Sequence, residues 1–245
     1  MPKNGAPLRR SKVEEFYENS YRTQGFSAQR RYPNEEFCRF MGRNFFSMEI
    51  ANRELIKVLE VGCGSGANLW AVAREGFDAY GLDISEASLV LAEKMLGTYS
   101  VRAQLLKGDM LNIPFNDAYF DVIVDVLSSC YFNEKNGQKF LEGVYKKLKV
   151  GGKFFSYFPS KSSDAFTNYL PATMLDSSTL SGIERPTAPF YGNFYPMRFL
   201  RPDEYQCLLK DAGFNVSYLE TISRTYRNGS EVFVFIVVEA ERSLD

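Results

Sequence analysis

The sequence predicts an α/β protein built on a mostly parallel sheet with helices on both faces, and two observations carry that prediction. From residue 56 to residue 212, short apolar runs alternate with segments of helical period, the pattern of a parallel sheet wrapped by its crossover helices. The last two apolar runs, 215–222 and 232–239, have only a turn at Arg227-Asn228-Gly229 between them, so they form an antiparallel pair at one edge. A chain of 245 residues suits one such domain with appendages and is ample for a sizeable core.

Each element has a local reason. Residues 1–12 are polar and basic and read as a flexible arm. From 13 to 52, Phe16, Tyr17, Tyr21, Phe37, Phe40, Met41 and Phe45 fall at helical spacing, interrupted by Pro33. The run 56–61 is apolar and ends in glycines, as a strand buried on both faces should. A helix over 66–75 stops at Gly76, and 78–82 is the second strand. Ser85 is an N-cap for a helix to about 96, with Gly97 as its stop. The third strand, 103–107, is weaker, and the fourth, 120–126, is apolar but for Asp121 and Asp125. The helix over 134–149 has Phe140, Leu141, Val144, Tyr145 and Leu148 on one face and is stopped by Gly151-Gly152. Strand 153–158 comes next, then a long interruption, then a helix over 202–212 with Leu208 and Leu209 inward.

Composition excludes several chemistries. There is no histidine, which removes imidazole dyads and triads and histidine-ligated zinc. A general base has to be a carboxylate, Tyr, Lys, Cys or the substrate itself. Lysine and arginine number 29 against 30 acidic residues, with no basic run, so a nucleic-acid partner is not expected. Cys38, Cys63, Cys130 and Cys207 are too scattered for a zinc site or a disulfide framework. No metal is expected, and reduced thiols point to a cytoplasmic protein. The N-terminus MPKNGAPLRRSK lacks the apolar core of a signal peptide. The longest apolar run, 232–238, suits a buried strand and is too short to span a membrane.

The most informative stretch is Val58-Leu59-Glu60-Val61-Gly62-Cys63-Gly64-Ser65-Gly66-Ala67, a strand entering a Gly-x-Gly-x-Gly turn and then a helix. Glycines let the backbone turn sharply and let a ligand approach the peptide plane. The same stretch also fits a dinucleotide fingerprint through Gly62, Gly64 and Ala67, which keeps a nicotinamide-dependent oxidoreductase open. Asp83 ends the second strand, where a carboxylate can accept both hydroxyls of a ribose. Gly108-Asp109-Met110 ends the third, 120–125 reads Phe-Asp-Val-Ile-Val-Asp, and Leu148-Lys149-Val150-Gly151-Gly152 precedes the fifth.

In this order the set resembles the class I S-adenosylmethionine (SAM)-dependent methyltransferases of the small-molecule type, over about residues 50–160 and again over 200–245. The resemblance implies a Rossmann-like, seven-stranded, mostly parallel sheet with an antiparallel last strand, SAM as cofactor and S-adenosylhomocysteine (SAH) as product. It implies that Gly62, Gly64 and Gly66 pack beneath the methionine part and that Glu60 organises its amino-acid end. Asp83 would take the ribose hydroxyls, with Ile84 against the adenine. Asp109 would accept from the adenine amino group, Met110 would offer its amide, and Asp125 and Val126 would flank the sulfonium. It divides the chain into an N-terminal arm and helical cap, 1–52, and a SAM-binding domain, 53–245. A second helical or loop cap is then inserted after strand five at 160–200.

The residues after the fourth strand narrow the acceptor. Asp125-Val126-Leu127-Ser128 stands where the family's amide and adenine N-methyltransferases carry a [D/N/S]-P-P-[Y/F/W] motif, and no Pro-Cys nucleophile occurs. A small molecule methylated on oxygen or nitrogen is expected. Nine aromatics crowd residues 16–46 and eleven crowd 154–199, two blocks flanking the cofactor core that read as walls of the acceptor pocket. No catalytic residue is fixed by the sequence. Tyr17 and Tyr21, one helical turn apart, and Tyr191 and Tyr195 in the second block are the candidates. Arg30, Arg31, Arg39, Arg43, Arg198 and Arg201 raise an anionic acceptor, because guanidinium suits bidentate capture of carboxylate or phosphate. The competing reading outside enzymology is a non-catalytic binding or partner protein on the same fold, and a homodimer is left open.

Overall fold

The computed structural model describes residues 11–243, so most of the expected N-terminal arm lies outside the described residues. The described chain opens with three helices, α1 (Lys12–Gln24), α2 (Glu35–Phe45) and α3 (Ile50–Arg53). The alternating core is β1 (Lys57–Val61), α4 (Leu69–Arg74), β2 (Asp78–Asp83), α5 (Glu86–Thr98), β3 (Gln104–Lys107), β4 (Phe120–Val126), α6 (Glu134–Lys147) and β5 (Leu148–Pro159). A short helix α7 (Asp164–Thr167) leads to β6 (Thr173–Met174), β7 (Thr179–Ile183) and β8 (Asn193–Arg198). The chain closes with α8 (Pro202–Asp211), β9 (Phe214–Tyr226) and β10 (Glu231–Arg242).

The main sheet has seven strands in the order β3-β2-β1-β4-β5-β10-β9, all parallel except β10, which runs antiparallel between β5 and β9. This is the α/β architecture the sequence predicts, antiparallel last strand included. After β3 the chain crosses from one edge to the far side of β1. That switch leaves a crevice outside the carboxyl ends of β1 and β4, the place where open α/β sheets bind ligands.

The core explains part of the aromatic surplus. Phe37, Phe40 and Phe45 of α2 are buried; Phe40 lies 5.0 Å from Phe155 and Phe45 lies 5.9 Å from Phe77, ring centroid to centroid. The first aromatic block therefore divides: its α2 half anchors the appendage on the sheet, and its α1 half reaches the crevice.

Three local expectations give way. The interruption after β5 is not built of helix and loop alone: after the short α7, β6, β7 and β8 form a separate antiparallel sheet. Leu180 and Met197 pair across it and are fully buried, a two-residue alternation cut short by Gly182 and Pro196. Gly97 does not stop α5, which runs through Thr98 and turns at Ser100 with φ 55°. Gly151 bends the start of β5 at φ 75° instead of ending α6, which stops at Lys147.

Candidate functional site

The site begins where β1 ends. Gly62, Gly64 and Gly66 have φ of 65°, 53° and 81°, the left-handed region open to glycine. Space is closed to a side chain as well: a Cβ on Gly62 would lie 2.2 Å from the Ser128 Oγ, and one on Gly64 would lie 2.6 Å from the Tyr21 hydroxyl. The turn is fastened to the end of β2. The Gly64 amide donates to Asp83 Oδ2 at 2.8 Å, and the Ser85 amide donates to Asp83 Oδ1 at 2.9 Å. Each oxygen keeps lone-pair capacity for a further donor. Burial pushes the Asp83 carboxyl up, against the pull of the Ser85 and Gly64 amides.

Glu60, in β1, is buried at 4% exposure. Its Oε1 accepts from Asn68 Nδ2 at 2.5 Å, and Asn68 is oriented by the Asn34 amide donating to its Oδ1 at 2.8 Å. Glu60 Oε2 is buried without a hydrogen-bond partner. Burial pushes the carboxyl up to about 7, with Arg30 and Asn68 pulling the other way. A buried carboxylate oxygen with no donor suits a cationic or N–H group, because leaving it unpaired costs about 1–3 kcal/mol or more.

One face of α1 forms a wall over this region. Glu18 is buried, and its carboxylate accepts the Ser85 hydroxyl at 2.7 Å, the Ala87 amide at 3.1 Å and Arg22 Nε at 2.8 Å. Ser85 is the N-cap of α5, accepting the Ser88 amide at 3.1 Å, so Glu18 adds a negative charge where the helix end favours one. Burial opposes ionisation of Glu18, but Ser85, Ala87 and Arg22 together hold its carboxyl down at about 2.

Between α1, the glycine turn, the ends of β2 to β4 and the strand β8 lies a cavity of about 770 Å³. Glu60, Gly62, Asp83, Ile84, Asp109, Met110 and Val126 line it, together with Tyr17, Tyr21, Tyr191 and Tyr195. Asp109 is exposed and its Oδ1 accepts the Leu111 amide at 2.9 Å. Gly64 and Gly66 are not on the wall; Gly64 is covered by Tyr21 and Gln29, and Gly66 packs on Ala92. Asp125 is also absent from it. Fully buried, it accepts the Ser128 and Ser129 amides and the Ser129 and Ser156 hydroxyls, so its carboxylate fixes the turn after β4 to β5 instead of facing the cavity.

Three tyrosines from three elements meet at one point. Tyr195 of β8 donates its hydroxyl to Tyr17 of α1 at 3.0 Å, and Tyr17 shares a 2.7 Å bond with Tyr131, in the turn after β4. Burial pushes all three phenols above their usual range, so they stay protonated at neutral pH. Tyr191 stands at the rim, 59% exposed. Of the six arginines only Arg30 lines the cavity. Arg39 is paired with Glu35 and Glu36, Arg43 with Glu239, and Arg201 with Asp203 and Glu204. Arg31 lies over the Phe26 ring, and Arg198 is buried against Gly137 in a separate pocket. Asn68, Glu18, Ser128 and Tyr131 are invisible as site residues in the sequence, because each acts through a partner distant along the chain.

Residues 58–152 match the family model described as a methyltransferase domain. Among curated relatives, the sterol 24-C-methyltransferase of Saccharomyces cerevisiae is 27% identical over 150 residues, covering 59% of this chain and 38% of the relative. The demethylmenaquinone methyltransferase of Tropheryma whipplei is 38% identical over 98 residues, covering 40% and 39%. The phthiotriol/phenolphthiotriol dimycocerosates methyltransferase of Mycobacterium tuberculosis is 31% identical over 130 residues, covering 52% and 44%. The chain thus spans about two fifths of the length of the curated relatives it matches. Among solved structures, a SAM-dependent methyltransferase of Methanosarcina mazei superposes with a TM-score of 0.66 at 21% identity, covering 77% of this chain and 93% of its own. The [4+2]-cyclase SpnF superposes with a TM-score of 0.66 at 14% identity, covering 99% and 100%. These likenesses establish the fold; chemistry is read from the site.

Proposed function

We propose that this chain, which belongs to the class I SAM-dependent methyltransferases, transfers the methyl group of SAM to an oxygen or nitrogen of a small molecule held in the tyrosine-walled part of the cavity. The observation that carries this reading is the continuity of one space from Glu60 and Asp83 to Tyr131 and Tyr195. Cofactor and acceptor would share it without a wall between them. Relatives named for small-molecule acceptors support the reading, and the sterol relative, named as a C-methyltransferase, adds carbon to the atoms to be tested.

The residues fit the cofactor. The unpartnered Glu60 Oε2 suits the α-ammonium group, and Arg30, at the same end, suits the carboxylate. Asp83 offers free lone pairs for the ribose hydroxyls, Ile84 and Met110 offer apolar surface for the adenine, and Asp109 an acceptor for its amino group. The tight Gly62 turn lets the backbone approach, since a Cβ there would collide with Ser128. SAM supplies an already activated methyl group on its sulfonium. The protein has then to align the acceptor and keep water out, and positioning of this kind lowers a barrier by roughly 7–11 kcal/mol. Tyr17 and Tyr21 close the space from the α1 side, and Tyr195 closes it from β8. Of the N-terminal unit 1–52, the described residues 11–52 serve in this reading with 160–200 as the two covers of the domain 53–245. With Arg30 at the cofactor end, no second arginine among the described residues lines the cavity to meet a carboxylate or phosphate of the acceptor.

Calorimetry with SAM, SAH and NAD tests the reading, followed by mass spectrometry of an acceptor library for a gain of one methyl group. SAH binding without NAD binding is expected. Absence of nucleoside binding would favour a partner protein on this fold, and NAD binding alone an oxidoreductase.

A further inference from the structure

The main sheet has two edges, and they are built differently. At one end β3 is four residues long and finishes on Lys107, short and charged as edges that avoid pairing are. At the other end β9 is 13 residues long and has β10 as its one strand partner. Its irregularity lies at Ser217, where the register to β10 shifts; from Tyr218 to Tyr226 the ladder is unbroken. That stretch, Tyr-Leu-Glu-Thr-Ile-Ser-Arg-Thr-Tyr, has no proline, glycine or lysine to blunt it. Glu220, Thr221, Ser223, Arg224 and Thr225 are exposed along it. Alternate residues of an antiparallel strand turn their amide and carbonyl away from the partner. Among the described residues none hydrogen-bonds to those outward groups of 218–226.

The stretch is also complementary to its own reverse. A second copy related by a two-fold axis perpendicular to the sheet presents the same patch, strand antiparallel to strand, with every side chain kept on its own face. With the axis at Ile222, the middle of the unbroken stretch, Glu220 lies opposite Arg224 and Arg224 opposite Glu220. Thr221 then faces Ser223, Tyr218 faces Tyr226, and Ile222 faces itself. Opposite charges, paired hydroxyls and paired rings are the cross-strand combinations that stabilise a sheet. Moving the axis two residues either way sets Glu220 or Arg224 against its own copy, and moving it one residue leaves both without an opposite charge. Arg224 is steadied by Glu35 of α2 at 3.1 Å, an exposed pair that uses only part of its guanidinium.

We propose that the β9 edge is the interface of a homodimer, in which β9 of each copy pairs antiparallel about a two-fold axis at Ile222 and the two seven-stranded sheets become one. Sedimentation velocity of the full chain from about 1 to about 100 μM should show monomer passing to dimer. Arg224→Glu sets like charges opposite each other twice and should weaken the dimer about tenfold. Glu220→Arg combined with Arg224→Glu restores both cross-strand pairs but not the Glu35 pair, so the dimer should recover through the second copy and not through α2. Register is read separately, in protein carrying Cys38→Ser and Cys207→Ser to remove the exposed thiols. Residues directly opposite in an antiparallel pair stand about 4.5–5.5 Å apart, within disulfide reach. Oxidised Ile222→Cys should therefore run as a covalent dimer, whereas Glu220→Cys, whose two copies would lie four residues apart along the strands, should not. A chain that stays monomeric at the highest concentration overturns the proposal. So does a dimer indifferent to Arg224→Glu, a charge swap that fails to recover it, or cross-linking at 220 without cross-linking at 222.

Discussion

The Glu18 carboxylate accepts the Ser85 hydroxyl at 2.7 Å, joining α1 to the N-cap of α5 across 67 residues of sequence. The same serine donates its amide to Asp83 at 2.9 Å, so the covering helix and the Asp83 carboxylate on the cavity wall share one residue.

Glu18→Ala should therefore loosen α1 and uncap α5 together. The expected cost is about 1–3 kcal/mol in urea unfolding, with faster proteolysis in residues 25–34. The Glu18 carboxyl is lowered from 4.5 to about 2, so its contribution is complete above the unfolded value and is lost as pH falls from about 4.5 towards 2. Acid titration of wild type and variant should converge in that window.

Glu60 gives the opposite sign. Burial raises its carboxyl to about 7, so below that pH the free protein carries it protonated and a bound ammonium group must expel the proton. SAH affinity should rise close to tenfold per pH unit up to about 7 and then level off, with proton release below 7 seen in buffers of different ionisation enthalpy. Glu60→Gln should flatten the profile.

Asp83→Ala should lower SAH affinity by about 100-fold or more in calorimetry, because the ribose acceptors and the fastening of the Gly64 amide are lost at once. Retained affinity would show that the nucleoside lies elsewhere.

Gly62→Ala meets two obstacles, a φ of 65° and a Ser128 side chain that would stand 2.2 Å from the new Cβ. It should destabilise the fold by about 1–3 kcal/mol and abolish SAH binding. Adding Ser128→Gly removes the collision but not the backbone strain, so thermal melts should show partial recovery.

Strands composed mainly of apolar residues are legible in the sequence, since burial on both faces leaves a composition signal in β1, β4 and β10 despite Glu60, Asp121 and Asp125. The second sheet is not. Its strands are two to six residues long, and Gly182 and Pro196 break the alternation that marks a strand. Asp125 shows why a motif position is not a role: the sequence puts it at the end of β4, but only the surrounding serines reveal that its oxygens are already taken. The arginines divide in the same way, because partners such as Glu239 for Arg43, 196 residues away, leave no local pattern.

Helix α1 covers both halves of the cavity, with Tyr21 over the glycine turn and Tyr17 one turn nearer its start. Under the methyl-transfer reading, one movement of α1 would uncover cofactor and acceptor together, tying their residence times. Such a movement would break the Glu18 contacts to Ser85 and Ala87 and strip α5 of part of its cap, so the cost of uncovering the cavity would be shared with a neighbouring helix.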